Sequence, residues 1–284
     1  MSDSGINRRD LLKTTAVTTT VTSSGLAVGA VSADGKGRSL TASNGELDVT
    51  VISADSDAGF NYPYYLYAPA TVDEYDRPLL VEPNNTGGTS DSLEDHREAA
   101  ESLIERQTPR QIADELRVPV LVPVFPRPAS DPVDGYHYVH ALDVETMQID
   151  GGKLERVDQQ LLHMIEHAKA KLADRSYPVA DGILMNGFSA SGNFVNRFTA
   201  LHPEIVRSAT AGGINGTALL PETEANGHQL NYQVGVADLV SLTGHEFDLE
   251  GWQETDQLVY MAGMTRTIRS RTTMPGIHHS ARLR

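Results

Sequence analysis

The chain has 284 residues, 39% of them hydrophobic and 21% charged, enough to bury one sizeable core, so a single catalytic-size domain is the starting expectation. Twenty-three Lys and Arg face 38 Asp and Glu, and the formal charge of −15 repels nucleic acid and anionic membrane surfaces; such acidity also suits a protein kept soluble in concentrated salt, a halophilic setting. With no cysteine, disulfides, thiolate metal sites and a Cys nucleophile are excluded.

Residues 1–33 read as a targeting segment. Arg8 and Arg9 precede Leu11, Leu12 and Lys13, the run Thr14 to Val31 is uncharged, and Val31-Ser32-Ala33 offers a small-residue cleavage site. This pattern predicts a twin-arginine signal, so the expected partner during export is the Tat translocase and the expected location is extracellular. The run is too Thr-rich for a stable transmembrane helix, so no stable membrane insertion is expected after cleavage. Residues 34–46 read as a linker.

From there short apolar runs alternate with helical patterns, the signature of a mostly parallel sheet covered by helices. Strands are expected near 47–53, 64–69, 78–83, 118–124, 182–188, 206–211 and 257–262. Helices fit 91–117, broken at Pro109, then 154–175 and 190–201. In 154–175, Leu154, Val157, Leu161, Ile165, Ala168 and Leu172 fall on one stripe and predict the face that packs on the sheet. The polar, glycine-containing segment of about 214–252 has no strong period and suits an excursion over the active-site edge.

The run Gly182-Ile183-Leu184-Met185-Asn186 leads through Gly187-Phe188-Ser189-Ala190-Ser191-Gly192 into Asn193-Phe194-Val195-Asn196-Arg197-Phe198. Strand, sharp turn, helix is the context of a nucleophile elbow: a strained turn lifts a serine hydroxyl clear of the sheet edge, and the helix N-terminus beneath it favours developing negative charge. Ser189 is the expected nucleophile. Ser191, standing where Gly-x-Ser-x-Gly has its last glycine, is a competitor inside the helix, and a plain Gly/Ser loop is the bland reading.

On these residues the chain resembles the α/β-hydrolase superfamily, close to its secreted esterase and polyester-depolymerase-like members, over about residues 47–263. The resemblance implies an α/β fold with a mostly parallel central sheet, helices on both faces, no cofactor, and a small-molecule or polymeric ester as substrate. It also implies an oxyanion hole from the backbone N–H of Ala190 and of the loop after the third strand, Glu82-Pro83-Asn84-Asn85-Thr86-Gly87-Gly88. Asn85 is the candidate there, with the choice among Asn84, Asn85 and Thr86 open, and an ordinary turn as the alternative. Asn84, Thr86, His137 and His140 are candidate pocket-lining residues, the last two in a stretch that also holds Asp131, Asp134 and Asp143.

Two other readings stand beside it. His163-Met164-Ile165-Glu166-His167 matches the His-x-x-Glu-His pattern of inverted zinc proteases, but all three polar residues fall opposite the apolar stripe, on the face expected in water, so no metal is assigned. A peptidase of the same fold and a catalytically dead binding protein are the remaining alternatives. His202, before Pro203, reads as a helix-end residue.

The family's triad acid and histidine follow its seventh and eighth strands, here beyond about residue 262. Residues 265–284 contain no acid and five arginines, whereas the rest carries 38 acids and 18 Lys and Arg. Reading the codons one base earlier from Met264 allows an acidic sequence with aspartates just after the seventh strand. The expectation is therefore a domain at 47–263, a non-native-looking basic tail from 264, and a last strand and helix, with the triad acid and histidine, displaced by a frameshift.

Overall fold

A computed structural model describes residues 39–42, 45–69, 76–106, 108–130, 139–175, 177, 179–261 and 264–268. The targeting segment, His137, Asp131, Asp134 and the basic tail beyond 268 lie outside the described residues.

The main sheet is built from β1 (Ser39–Ala42), β2 (Gly45–Ile52), β3 (Tyr64–Tyr67), β4 (Arg77–Val81), β5 (Val120–Pro123), β6 (Val179–Phe188), β7 (Val206–Gly212), β10 (Asp256–Met261) and β11 (Met264–Ile268). Its spatial order is β1-β2-β3-β5-β4-β6-β7-β10-β11. β5, β4, β6, β7 and β10 are mutually parallel, and β3 runs against both β2 and β5. All seven expected strands are present to within about three residues. β1, too short to show an alternation, was not foreseen. Residues 264–268, expected to lie outside the domain, pair antiparallel with β10 from Met261↔Met264 to Gln257↔Ile268.

Parallel strands covered on both faces are apolar on both faces, and β4 shows why. Leu79 and Val81 point into one core with Leu121, Ile183, Met185, Ala209 and Ala211, whereas Leu80 joins Val120, Val122, Tyr65 and Tyr67 in the other. The first core is closed by α4 (Val157–Ala173) and α5 (Ala190–Leu201), through Leu161, Ile165, Phe194 and Phe198. The second is closed by α1 (Leu93–Arg106) and α2 (Thr108–Leu116), through Ala100, Ile104 and Ala113. The expected stripe of α4 is buried along its whole length, from Leu154 to Leu172. The break between α1 and α2 puts Pro109 in the first turn of α2, where its missing N–H costs no helical hydrogen bond.

Segment 214–252 holds the hairpin β8 (Glu224–Ala225) and β9 (His228–Gln229) and the helices α6 (Leu239–Thr243) and α7 (Leu249–Glu254); a short α3 (Val144–Met147) lies earlier. It is tied to α5, where Asn196 Oδ1 accepts the Leu219 N–H at 2.8 Å, and to the segment before α3, where Tyr232 donates to the Leu142 carbonyl at 2.8 Å. No helix among the described residues is long and apolar enough to cross a membrane.

Candidate active site

β6 delivers the chain to Ser189, which takes φ 63° and ψ −121° before α5 begins at Ala190. An L-residue is strained there, by about 1–3 kcal/mol, and three sets of bonds hold the turn in place. The Ser189 N–H donates to the Gly212 carbonyl of β7 at 2.8 Å, and its carbonyl accepts the Asn193 N–H at 3.1 Å as α5 starts. Ser191 Oγ accepts the Phe188 N–H and donates to the Phe188 carbonyl, both at 3.0 Å. Ser191 is 2% exposed with its hydroxyl occupied, so it clamps the turn rather than competing as nucleophile. A Cβ on Gly187 would stand 2.4 Å from the Ser191 carbonyl oxygen, and one on Gly192 2.3 Å from that of Gly212, so both sites exclude any larger residue. Ser189 itself is exposed, and among the described residues no group hydrogen-bonds its hydroxyl.

The loop after β4 is bound to this turn by Asn85, whose Nδ2 donates to the Phe188 carbonyl at 3.1 Å. Its neighbours are anchored the other way. Asn84 donates to the Phe125 carbonyl at 2.8 Å and accepts the Phe125 N–H at 3.1 Å, extending the sheet ladder past the end of β5. The Thr86 N–H goes to His140 Nδ1 at 3.3 Å, and its hydroxyl lies 2.8 Å from His96 Nδ1. Among the described residues the backbone amides of Asn85 and Ala190 have no hydrogen-bond partner, whereas that of Thr86 is taken. Thr86 is thereby removed from the oxyanion candidates.

Asn84 and His140 are each 1% exposed, and both donate to the Phe125 carbonyl. His140 donates from Nε2 to the Phe125 carbonyl at 2.7 Å and accepts at Nδ1, a tautomer assigned by those partners. Burial pushes its pKa down to about 3, with the charges of His96 and Arg127 acting in the same direction, so it is a neutral brace and not a base. Thr86 is half-buried at the loop surface. Asp143 caps α3, accepting the Thr146 N–H at 3.0 Å.

His202, His163 and His167 are engaged elsewhere. His202 closes α5 thirteen residues from Ser189, about 20 Å along the helix, and pairs through Nε2 with Asp158 at 2.9 Å. In the His-x-x-Glu-His segment, His163 and Glu166 are exposed, but His167 departs from the expected wet face. It is half-buried against Phe60 and Tyr64, with Nδ1 2.8 Å from the Tyr64 hydroxyl. Among the described residues no cluster suits a metal ion.

Sequence reading missed Glu82, 5% exposed at the end of β4, which accepts from Asn186 Nδ2 at 2.6 Å on the strand that carries Ser189. Burial pushes its carboxyl up to about 8, against a smaller lowering by Asn186. The available signal was one acid ending the apolar run Leu79-Leu80-Val81.

No family model matches the chain, and a search of curated proteins finds no match. Solved structures similar to it include a poly(aspartic acid) hydrolase-1 from Sphingomonas sp. KT-1, at 19% identity and TM-score 0.46, covering 72% of this chain and 68% of that one. A poly(3-hydroxybutyrate) depolymerase from Bordetella parapertussis is 18% identical with TM-score 0.44, covering 76% of this chain and 64% of that one. An acetyl xylan esterase from Aspergillus awamori is 16% identical with TM-score 0.37, covering 57% and 50%. The chain thus spans half to about two thirds of the length of these structures. Its own strand order β2-β3-β5-β4-β6-β7-β10, with β3 alone reversed, and a serine at positive φ between β6 and α5 give it the α/β-hydrolase fold.

Proposed function

We propose that the chain is an exported serine hydrolase of carboxylic esters. The observation that carries this is Ser189, an exposed hydroxyl on a strained turn with two unbonded amides, of Ala190 and Asn85, in the segments that frame it. Ser189 Oγ attacks the ester carbonyl carbon, and its proton passes to a base, here solvent. The oxygen that gains the negative charge is held by the two amides and the start of α5. Collapse expels the alcohol and leaves an acyl-serine, which water hydrolyses.

Among the described residues no histidine or carboxylate bonds to Ser189, and an elbow working without triad partners loses on the order of 10⁴ to 10⁶ in rate. Slow, near-stoichiometric acylation is therefore expected rather than rapid turnover. The twin-arginine pattern of Arg8 and Arg9 supports export, and the charge of −15 supports a saline exterior.

The test is prolonged incubation with a fluorophosphonate, followed by peptide mass mapping. Label on the peptide holding Ser189, absent after Ser189→Ala, is the expected result. A folded chain that stays unlabelled is a binding protein of this fold, and the hydrolase reading fails.

A further inference from the structure

On the same edge of the sheet as Ser189, a cleft of about 440 Å³ opens among Tyr62, Ser90, Asp91, Leu93, Pro126 and Lys153, with Pro128 and Gly151–Leu154 completing its rim. The elements explain its place. Tyr62 precedes β3, which starts opposite Pro123 at the end of β5, while Pro126 and Pro128 follow β5 and Ser90 and Asp91 end the loop after β4. Two strand spacings separate β5 from β6, so the cleft lies about 10 Å from the strand that carries Ser189.

Its walls are fixed in advance. Asp91 Oδ1 accepts the N–H groups of Ala129 and Ser130 at 2.9 and 3.1 Å, and the Ser90 N–H donates to the Arg127 carbonyl at 2.9 Å, so the loops after β4 and β5 are bonded together. Gly151 and Gly152, at φ 81° and 79°, leave the rim open: a Cβ on either meets nothing within 4 Å.

Inside stands a hydroxyl donor on a mostly buried ring. Tyr62 is 8% exposed, its ring packs edge-on to Phe125 at 6.2 Å, and among the described residues its hydroxyl has no hydrogen-bond partner. That hydroxyl is not among the fully enclosed unpaired atoms, so what exposure it keeps is in the cleft it lines. Burial pushes the phenol up to about 12, so it is a donor at every physiological pH. A hydroxyl that faces a cleft from an otherwise buried ring is placed to bond whatever occupies that cleft. Lys153, exposed on the same rim and in no ion pair among the described residues, adds a cation, and Leu93, Pro126, Pro128 and Leu154 supply hydrocarbon.

We infer that this cleft seats the far end of an elongated aliphatic ester, bonding Tyr62 and Lys153 to an oxygen acceptor of a second carboxyl-type group about 10 Å from the carbonyl that Ser189 attacks. The position of that carbonyl rests on the hydrolase reading above. The acceptor is a free carboxylate or a second ester carbonyl, which share the chemistry and differ in charge.

The experiment is titration of the Ser189→Ala chain, which removes turnover, with monomethyl suberate, dimethyl suberate and methyl butyrate, followed by tyrosine-ring NMR shifts. The two suberate carboxyl carbons stand about 9 Å apart when extended. Both suberates are expected to bind more tightly than the butyrate, and adding Tyr62→Phe is expected to weaken both about fivefold. Among the described residues no atom bonds the Tyr62 hydroxyl, so the variant is expected to keep its fold. If Lys153→Met weakens only the hemi-ester, the carboxylate is the natural end; if it weakens neither, the ester carbonyl is. Absent binding, equal affinity for butyrate, or indifference to Tyr62→Phe overturns the proposal. Tyr62-dependent binding by a chain unlabelled at Ser189 fails the hydrolase reading and leaves the cleft standing. Labelling without Tyr62 dependence does the reverse.

Discussion

Replacing Ser189 by glycine is expected to stabilise the chain, which no ordinary loss of a side chain does. Ser189 at φ 63° carries about 1–3 kcal/mol of backbone strain, and glycine takes that conformation without a Cβ penalty. Glycine also raises the entropy of the unfolded chain, which costs about 0.5–1 kcal/mol and leaves a net gain of about 0.5–2 kcal/mol. Nothing offsets this from contacts, because among the described residues the Ser189 hydroxyl bonds to no partner. Ser189→Ala keeps the Cβ and the strain, and should stay within about 0.5 kcal/mol of the parent. Urea unfolding followed through Trp252, the chain's only tryptophan and 7% exposed, reads the difference directly. A Ser189→Gly chain no more stable than Ser189→Ala would refute the strain, and with it the view that the turn is held against its own preference.

Stability should peak at about pH 5–6 because two buried groups act in opposite directions. Glu82 titrates at about 8 folded against an ordinary 4.5, so the folded chain holds the extra proton and stability falls as pH rises from 4.5 to 8. His140 titrates at about 3 against an ordinary 6.5, so stability is lost as pH falls from 6.5 towards 3. Glu82→Gln should flatten the alkaline limb of a melting-temperature profile and leave the acid limb; an unchanged alkaline limb excludes Glu82 as its source. Burial alone would raise the pKa of Asp158, yet Arg156 and His202 hold it down to about 2. Asp158→Asn, which takes the carboxylate away from Arg156 and His202, should cost about 3 kcal/mol in urea unfolding, and a cost below about 1 would contradict the pairing. Asn85→Ala keeps the backbone amide and removes the bond to the Phe188 carbonyl, so fluorophosphonate labelling should slow about fivefold with little change in unfolding midpoint; an unchanged rate separates Asn85 from the oxyanion site.

The framework of this fold was written locally. Strands such as Ile183–Met185 are apolar runs, the α4 stripe repeats at helical spacing, and the elbow needs glycines at fixed places, all of which a linear reading detects. The supports of the site were not written locally. Asn84 and Phe125 are 41 residues apart, His140 and Thr86 54, and Asn85 and Phe188 103, so each bond exists only after the sheet has set its order. Sequence spacing alone could not show that both ring nitrogens of His140 are used, by Thr86 and Phe125. The same non-locality ties the Ser189 turn to the loop after β4. Phe188 is gripped by Ser191 from the helix side and by Asn85 from the loop side, so movement of either element displaces the carbonyl both depend on. The hold of the loop after β4 on the Ser189 turn thus depends on one shared residue, Phe188.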